Sequence, residues 1–336
     1  MLVHALRRRA GLLAMLALAL GLVLAPAAAQ ADPDFYEGPI FGIANGPGGS
    51  LFVADAGQGV VDADSGRASA SFPGLNDVAP IGRGEALGVG FHETDGAPQI
   101  GVFRVSQGRG AFVADTQAFE EDVDPAGDGT EEGSNPFDLA HLNGGKALVA
   151  DAAGNSLLVV DERGRLDWVA TFPAQTGVPC PAWFCTGTVP FPVQAVPTSV
   201  AIGPDGAYYV GELTGFPAPL GESRVWRIAP GSRHVRCGID PGCTLVLEGF
   251  TSIIDLAFGP DGRLNVAQLD DASWLALEND AGDGGSVRAC NLQTKACEVL
   301  VDEVPILTAI AYRGGALWGA SWALVPGMAD VTQLVP

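Results

Sequence analysis

Ile254-Asp-Leu-Ala-Phe-Gly-Pro-Asp-Gly-Arg-Leu-Asn-Val-Ala-Gln268 reads as two short apolar strands joined by a tight turn. Proline presets φ for the first corner and glycine takes the left-handed position, so the unit is a hairpin and not a helix. The unit recurs as Phe41-Gly-Ile-Ala-Asn-Gly-Pro-Gly-Gly-Ser-Leu-Phe-Val-Ala-Asp55, as Phe137 to Asp151 and as Thr198 to Glu212. Degenerate copies at Asn76 to Phe91 and Thr308 to Ser321 bring the count to six. Between copies lie further strand-like runs, such as Ser156-Leu-Leu-Val-Val-Asp161 with Asp167-Trp-Val-Ala-Thr-Phe172, or Arg224-Val-Trp-Arg-Ile228 with Leu245-Val-Leu247. Six repeats with four strands each, at a period of roughly 35 to 60 residues, predict an all-β, six-bladed β-propeller of four-stranded antiparallel blades.

Upstream of the first repeat, Arg7, Arg8 and Arg9 precede an apolar run from Ala10 to Ala25 and the small residues Pro26 to Ala31. That order predicts a cleaved secretory signal over residues 1–31, leaving one propeller domain over 32–336 and no membrane anchor. The whole chain carries a formal charge of −21. Losing the three signal arginines leaves 15 basic and 39 acidic residues, or −24, with Lys146 and Lys295 the only lysines. So acidic a surface disfavours nucleic acid and anionic lipid as partners, and leaves a small molecule or a protein. The six cysteines form three close couples, Cys180/Cys185, Cys237/Cys243 and Cys290/Cys297. Their intervals fit zinc poorly, and in a secreted or periplasmic protein they read as disulfides.

Superposing the repeats defines two rings of positions on one face. The first, early in strand one, holds Gly42, Asp77, Asp138, Ser199, Asp255 and Ala309. The second closes strand two with Asp55, Asp151, Glu212, Gln268 and Ser321; its blade-two member falls near Phe91 or His92. Carboxylates converging on a channel mouth suit a hard cation such as Ca²⁺, with Asp77, Asp138 and Asp255 as ligands. The competing expectations are loop capping for Asp55, Asp151 and Glu212, and simple channel solvation for the first ring. His92 is the histidine placed to act as a base at the mouth, whereas His141 reads as core. Trp183 and Trp274 could stack on a ligand, but packing is the usual role of such rings. Long insertions run from Thr116 to Ser134, with a short helix expected near Ala118, and from Pro173 to Val196.

The repeats Asn135-Pro-Phe-Asp-Leu-Ala140 and Leu148-Val-Ala-Asp-Ala-Ala-Gly-Asn155, with the Gly-Pro-Asp-Gly turns, resemble NHL-type (NHL/TolB-like) propeller repeats. Across Ala195 to Pro217 and Phe250 to Gly262, with Ala114 to Glu120 before Ser134 to Phe137, the chain resembles the exported ScyD/ScyE family. That resemblance implies a propeller and an export route, and brings no established reaction. It leaves two readings open. One is a ligand- or protein-binding scaffold without catalysis; the other is a calcium-assisted hydrolase or lyase like the gluconolactonase and streptogramin-lyase propellers. Asn265 and Gln268 depart from the repeat in blade five, which weakens any metal site needing an acid from every blade.

Overall fold

A computed structural model describes residues 35–82, 84–94, 96–106, 109–127, 133–178 and 192–336. The expected signal segment, Cys180, Cys185 and Trp183 lie outside the described residues. Six sheets form the six blades. Blade 1 comprises β1 (Ile40–Asn45), β2 (Leu51–Asp55), β3 (Gly59–Asp62) and β4 (Arg67–Ser71). Blade 2 comprises β5 (Leu75–Gly82), β6 (Glu85–Thr94), β7 (Ala97–Ser106) and β8 (Arg109–Asp115), followed by helix α1 (Thr116–Val123). Blade 3 holds β9 (Pro136–Leu142), β10 (Lys146–Asp151), β11 (Ser156–Val160) and β12 (Leu166–Thr171). Blade 4 runs β13 (Pro197–Ile202), β14 (Tyr208–Glu212) and β15 (Ser223–Ile228). The chain then crosses to blade 3 as β16 (Val235–Arg236) before closing its own blade with β17 (Cys243–Phe250). Blade 5 contains β18 (Ile253–Phe258), β19 (Leu264–Gln268), helix α2 (Trp274–Glu278), β20 (Gly285–Cys290) and β21 (Cys297–Val304). Among the described residues blade 6 shows three strands, β22 (Ala309–Arg313), β23 (Ala316–Ser321) and β24 (Asp330–Val335).

The quoted turn explains the local geometry. At Gly259-Pro260-Asp261-Gly262 the Gly262 N–H donates to the Gly259 carbonyl at 2.9 Å, and Gly262 sits at φ +79°. An L side chain is strained in that region, so glycine sets the hairpin register. Strand alternation then buries one apolar set per blade face, and neighbouring blades share it. Leu148, Leu157, Val169, Val210, Trp226 and Ile228, for example, form one cluster spanning blades 3 and 4.

Apart from β16, which joins blade 3, the described strands of each blade are consecutive in the chain, and contacts between blades 6 and 1 close the ring. The Ile40 N–H donates to the Ala323 carbonyl at 2.9 Å, and the Thr308 hydroxyl donates to the Ile40 carbonyl at 2.6 Å. Arg313 adds a two-pronged contact to Asp64, both bonds 2.7 Å. Disulfides join Cys237 to Cys243 and Cys290 to Cys297. Among the described residues no helix is long and apolar enough to cross a membrane. The Asp115 carboxylate caps α1 by accepting the Ala118 N–H at 2.9 Å, which starts the helix two residues before the expected position.

Candidate functional site

The innermost strands β1, β5, β9, β13, β18 and β22 carry the first ring of positions around the channel. Registers align these positions: Gly42 pairs Ala54, Asp77 pairs Val89, Asp138 pairs Ala150 and Asp255 pairs Ala267. Three of the six are carboxylates, and each reaches into the next blade. Asp77 accepts the Leu139 N–H at 3.1 Å, Asp138 the Val200 N–H at 2.5 Å and Asp255 the Ile310 N–H at 2.6 Å. The donor is always the residue after the ring position of the following blade, so the acids work as a repeated strap. A parallel stitch comes from the preceding residue in alternate blades. Asn76, Thr198 and Thr308 donate to the carbonyls of Pro136, Ile253 and Ile40 at 3.0, 2.7 and 2.6 Å.

In blades 1, 3 and 5 that preceding residue is apolar: Phe41, Phe137 and Ile254. The Phe41 and Phe137 rings meet edge to face with centroids 5.2 Å apart, although their blades are not neighbours. They therefore touch across the lumen. With Ile254, Phe216, Leu269 and Trp274 they form an apolar cluster over the strand-one starts. Trp274 is buried there and its indole N–H donates to the Thr214 carbonyl at 2.8 Å, so its ring packs and does not present a stacking face.

The lumen holds a cavity of about 190 Å³. Asp77, Asp138 and Asp255 lie in its wall, with Val78, Leu139, Val200 and Leu256 one position further along their strands. Two positions beyond the ring, every blade places alanine: Ala44, Ala79, Ala140, Ala201, Ala257 and Ala311. Ala44, Ala79 and Ala140 face the cavity, as does His141, which the sequence alternation places in the core. Gly42 has no room for a side chain, because a Cβ there would fall 1.8 Å from Asp77 Oδ1.

Burial, and then the neighbouring Asp138 charge, push the Asp77 carboxyl well above the usual carboxylate range. The same two causes act on Asp255. Burial raises Asp138 to about 6, while its hydrogen bonds to Asp77 and to the Val200 and Leu139 amides pull the other way. Three carboxylates sharing a low-dielectric wall disfavour full ionisation together, so the group holds protons where an exposed aspartate has none.

Ring two is used by the fold. Asp55 accepts the N–H groups of Glu37, Gly38, Gly57 and Gln58 at 2.8, 2.9, 2.7 and 3.2 Å. Asp151 accepts the Asn135 and Gly154 N–H groups at 2.8 and 3.1 Å and the Ser134 hydroxyl at 2.5 Å. Burial raises its carboxyl against these bonds. Glu212 is held by Arg224 at 2.6 and 3.0 Å and by the Trp226 indole N–H at 2.6 Å. Burial pushes Glu212 up to about 7, against the pull of Arg224 and Trp226. Gln268 does the same work without charge, accepting the Thr251 N–H at 2.6 Å.

Blade 2 departs from the expected alignment. Its ring-two position is Gly90, paired with Leu75, and neither Phe91 nor His92. The reason is the hairpin of β6 and β7, which stays paired out to Thr94 and Ala97 and leaves no turn to cap. His92 rides on that extension, bonded through Nδ1 to the Pro73 carbonyl at 2.9 Å and stacked on Phe72 at 3.8 Å. It is not in the wall of the channel cavity. Among the described residues, no group of three or more His, Cys, Asp or Glu side chains is arranged to hold a metal ion.

Fold and channel define a six-bladed β-propeller with an acid-lined central cavity. A putative oxidoreductase (glucose dehydrogenase) from Thermus thermophilus shares the fold at a TM-score of 0.52 and 16% identity, covering 90% of this chain and 98% of that one. The calcium-binding protein regucalcin from Agrobacterium tumefaciens superposes at a TM-score of 0.52 and 14% identity, covering 86% and 85%. Against the extracellular domain of a putative hybrid two-component system from Bacteroides thetaiotaomicron, the chain spans 32% of the other's length at 10% identity and a TM-score of 0.47. At such identities the likeness establishes the fold alone. No family model and no curated protein matches the sequence.

Proposed function

We propose that this is an exported binding propeller of the ScyD/ScyE type that takes a small organic cation into its channel cavity and performs no chemistry on it. The observation that carries this reading is the contrast between the two rings. Ring two satisfies loops and buried partners, which accounts for its acids structurally. Ring one places three mutually repelling carboxylates against an apolar wall. Each accepts two backbone N–H groups, one from the next residue of its own strand and one from the following blade, a duty that a neutral side chain could share (Asn for Asp, for instance). Carboxylates crowded together beyond what the strap between blades requires are the expected mark of a binding site. Their residual negative charge faces a space equal to about six waters, which suits an amine with a short apolar body. The two disulfides favour an oxidising compartment, in keeping with the export signal.

Calcium is the second reading, favoured by the shared fold of a calcium-binding protein and by the oxygen donors of Asp77, Asp138 and Asp255. Calorimetric titration at about pH 8 with choline, and separately with Ca²⁺, tests both. Choline binding that Asp138→Asn abolishes supports the organic-cation reading. Ca²⁺ binding with the same dependence replaces it by the metal reading, and binding of neither removes the channel as a site.

A further inference from the structure

A second cavity, of about 360 Å³, lies outside the channel where the chain crosses between blades 3 and 4. After β15 the chain leaves blade 4 and lays β16 parallel to β12, pairing Ala170 with Val235 and Thr171 with Arg236. The crossing is fixed in place. Cys237 and Cys243 are buried and bonded to each other, and the Cys237 N–H donates to the Thr171 carbonyl at 2.9 Å. The His234 ring lies over Trp168 at 4.6 Å. This brings Arg233 opposite the β11–β12 turn and the start of β10. Between them, Lys146, Arg165 and Arg233 converge with Asp161 and Asp167.

The charges in this cavity are not equally committed. Asp161 accepts the Arg163 and Arg165 N–H groups at 2.9 and 3.0 Å and the Arg165 Nε at 2.7 Å, and these bonds hold its carboxyl down at about 2. Asp167 takes His234 Nε2 at 2.6 Å and lies 3.6 Å from Arg233 Nε. Lys146 has no ion pair among the described residues. The wall holds three cations against two carboxylates, with Glu162 outside it beside Gly145, on a chain with 39 acids and 18 basic residues. On so acidic a chain, a wall where cations outnumber carboxylates is where an anion is directed. The guanidinium forks of Arg165 and Arg233 and the Lys146 ammonium supply donors to an anionic group. The two carboxylates offer acceptors for hydroxyl groups beside it, and Val159 and Leu166 an apolar wall for C–H bonds.

We propose that this cavity binds a sugar acid, a polyhydroxylated ring bearing a carboxylate, on the outer side of the disc and independently of the channel. The carboxylate sits between Lys146 and Arg233, and ring hydroxyls donate to Asp161 and Asp167. Titration of the full mature chain with glucuronate, glucose and inorganic phosphate tests it. Glucuronate binds, glucose binds at least tenfold more weakly, and Lys146→Gln weakens glucuronate at least tenfold without moving the melting temperature. Arg233→Ala has the same effect on glucuronate, while Asp138→Asn in the channel leaves it unchanged. No glucuronate binding, equal affinity for glucose, or indifference to Lys146→Gln overturns the proposal. So does phosphate binding without glucuronate binding, which would make the cavity a plain anion site. Lys146 is exposed, so its variant folds and the test stands even if Arg233→Ala loosens the crossing segment.

Discussion

Replacing Asp138 by asparagine removes one charge from the channel wall and keeps an oxygen for the Val200 amide, 2.5 Å away. In the folded chain Asp138 titrates at about 6, against 3.8 for an ordinary aspartate. That gap corresponds to about 3 kcal/mol of preference for the protonated form. The sign follows from proton counting. Between the two values the folded state holds a proton that the unfolded state has released, so the contribution of Asp138 to stability is fully present below about pH 4 and is lost as pH rises through about 6. Asp77 and Asp255, raised in the same direction, extend the loss to higher pH. Asp138→Asn therefore stabilises the unliganded protein at pH 8, by up to about 3 kcal/mol, and leaves it nearly unchanged at pH 4. Urea unfolding of both proteins at the two pH values reads the difference directly. A variant that is less stable than the parent at pH 8 refutes the reasoning, because the ionised carboxylate would then be compensated by a partner the fold supplies.

Asp55→Ala leaves four backbone N–H groups without their acceptor and lowers stability by about 2–4 kcal/mol in chemical denaturation. Glu212→Ala strands Arg224 and the Trp226 indole in a buried setting, costing about 3–5 kcal/mol, with no effect on choline binding. Gly42→Ala drives a methyl into the Asp77 carboxylate and destabilises the ring. Asp77→Ala in the same chain recovers part of that loss, the Asp77 Cα 2.8 Å from the added methyl retaining the rest, a non-additivity that a double-mutant cycle measures.

What the sequence made legible was whatever is local. Gly259-Pro260-Asp261-Gly262 and its relatives specify hairpins through their own dihedral preferences, and six copies specify blades. The equivalence of Asp77, Asp138 and Asp255 follows from the same alignment. Their partners do not, since Leu139, Val200 and Ile310 lie 62, 62 and 55 residues downstream and are backbone donors with no side-chain signature. Blade 2 misled the alignment because His92 looked like the end of a strand that in fact continues to Thr94. The crossing of Phe41 to Phe137 and the excursion of β16 depend on which blades face each other, which periodicity does not encode. Two features were visible after the fact. Alanine recurs two positions beyond ring one in every copy, facing the lumen in blades 1 to 3, and Lys146 stands almost alone among lysines in an acidic chain.

The distinction between a structural ring two and a functional ring one is open to direct observation by ¹³C NMR of the aspartate carboxyl groups across pH, with and without choline. Asp77, Asp138 and Asp255 are expected to titrate well above exposed aspartates such as Asp161 and Asp240, and choline to move all three downward while Asp151 in ring two stays unmoved. Carboxyl resonances for the three that titrate with the exposed aspartates, or that ignore choline, would contradict it.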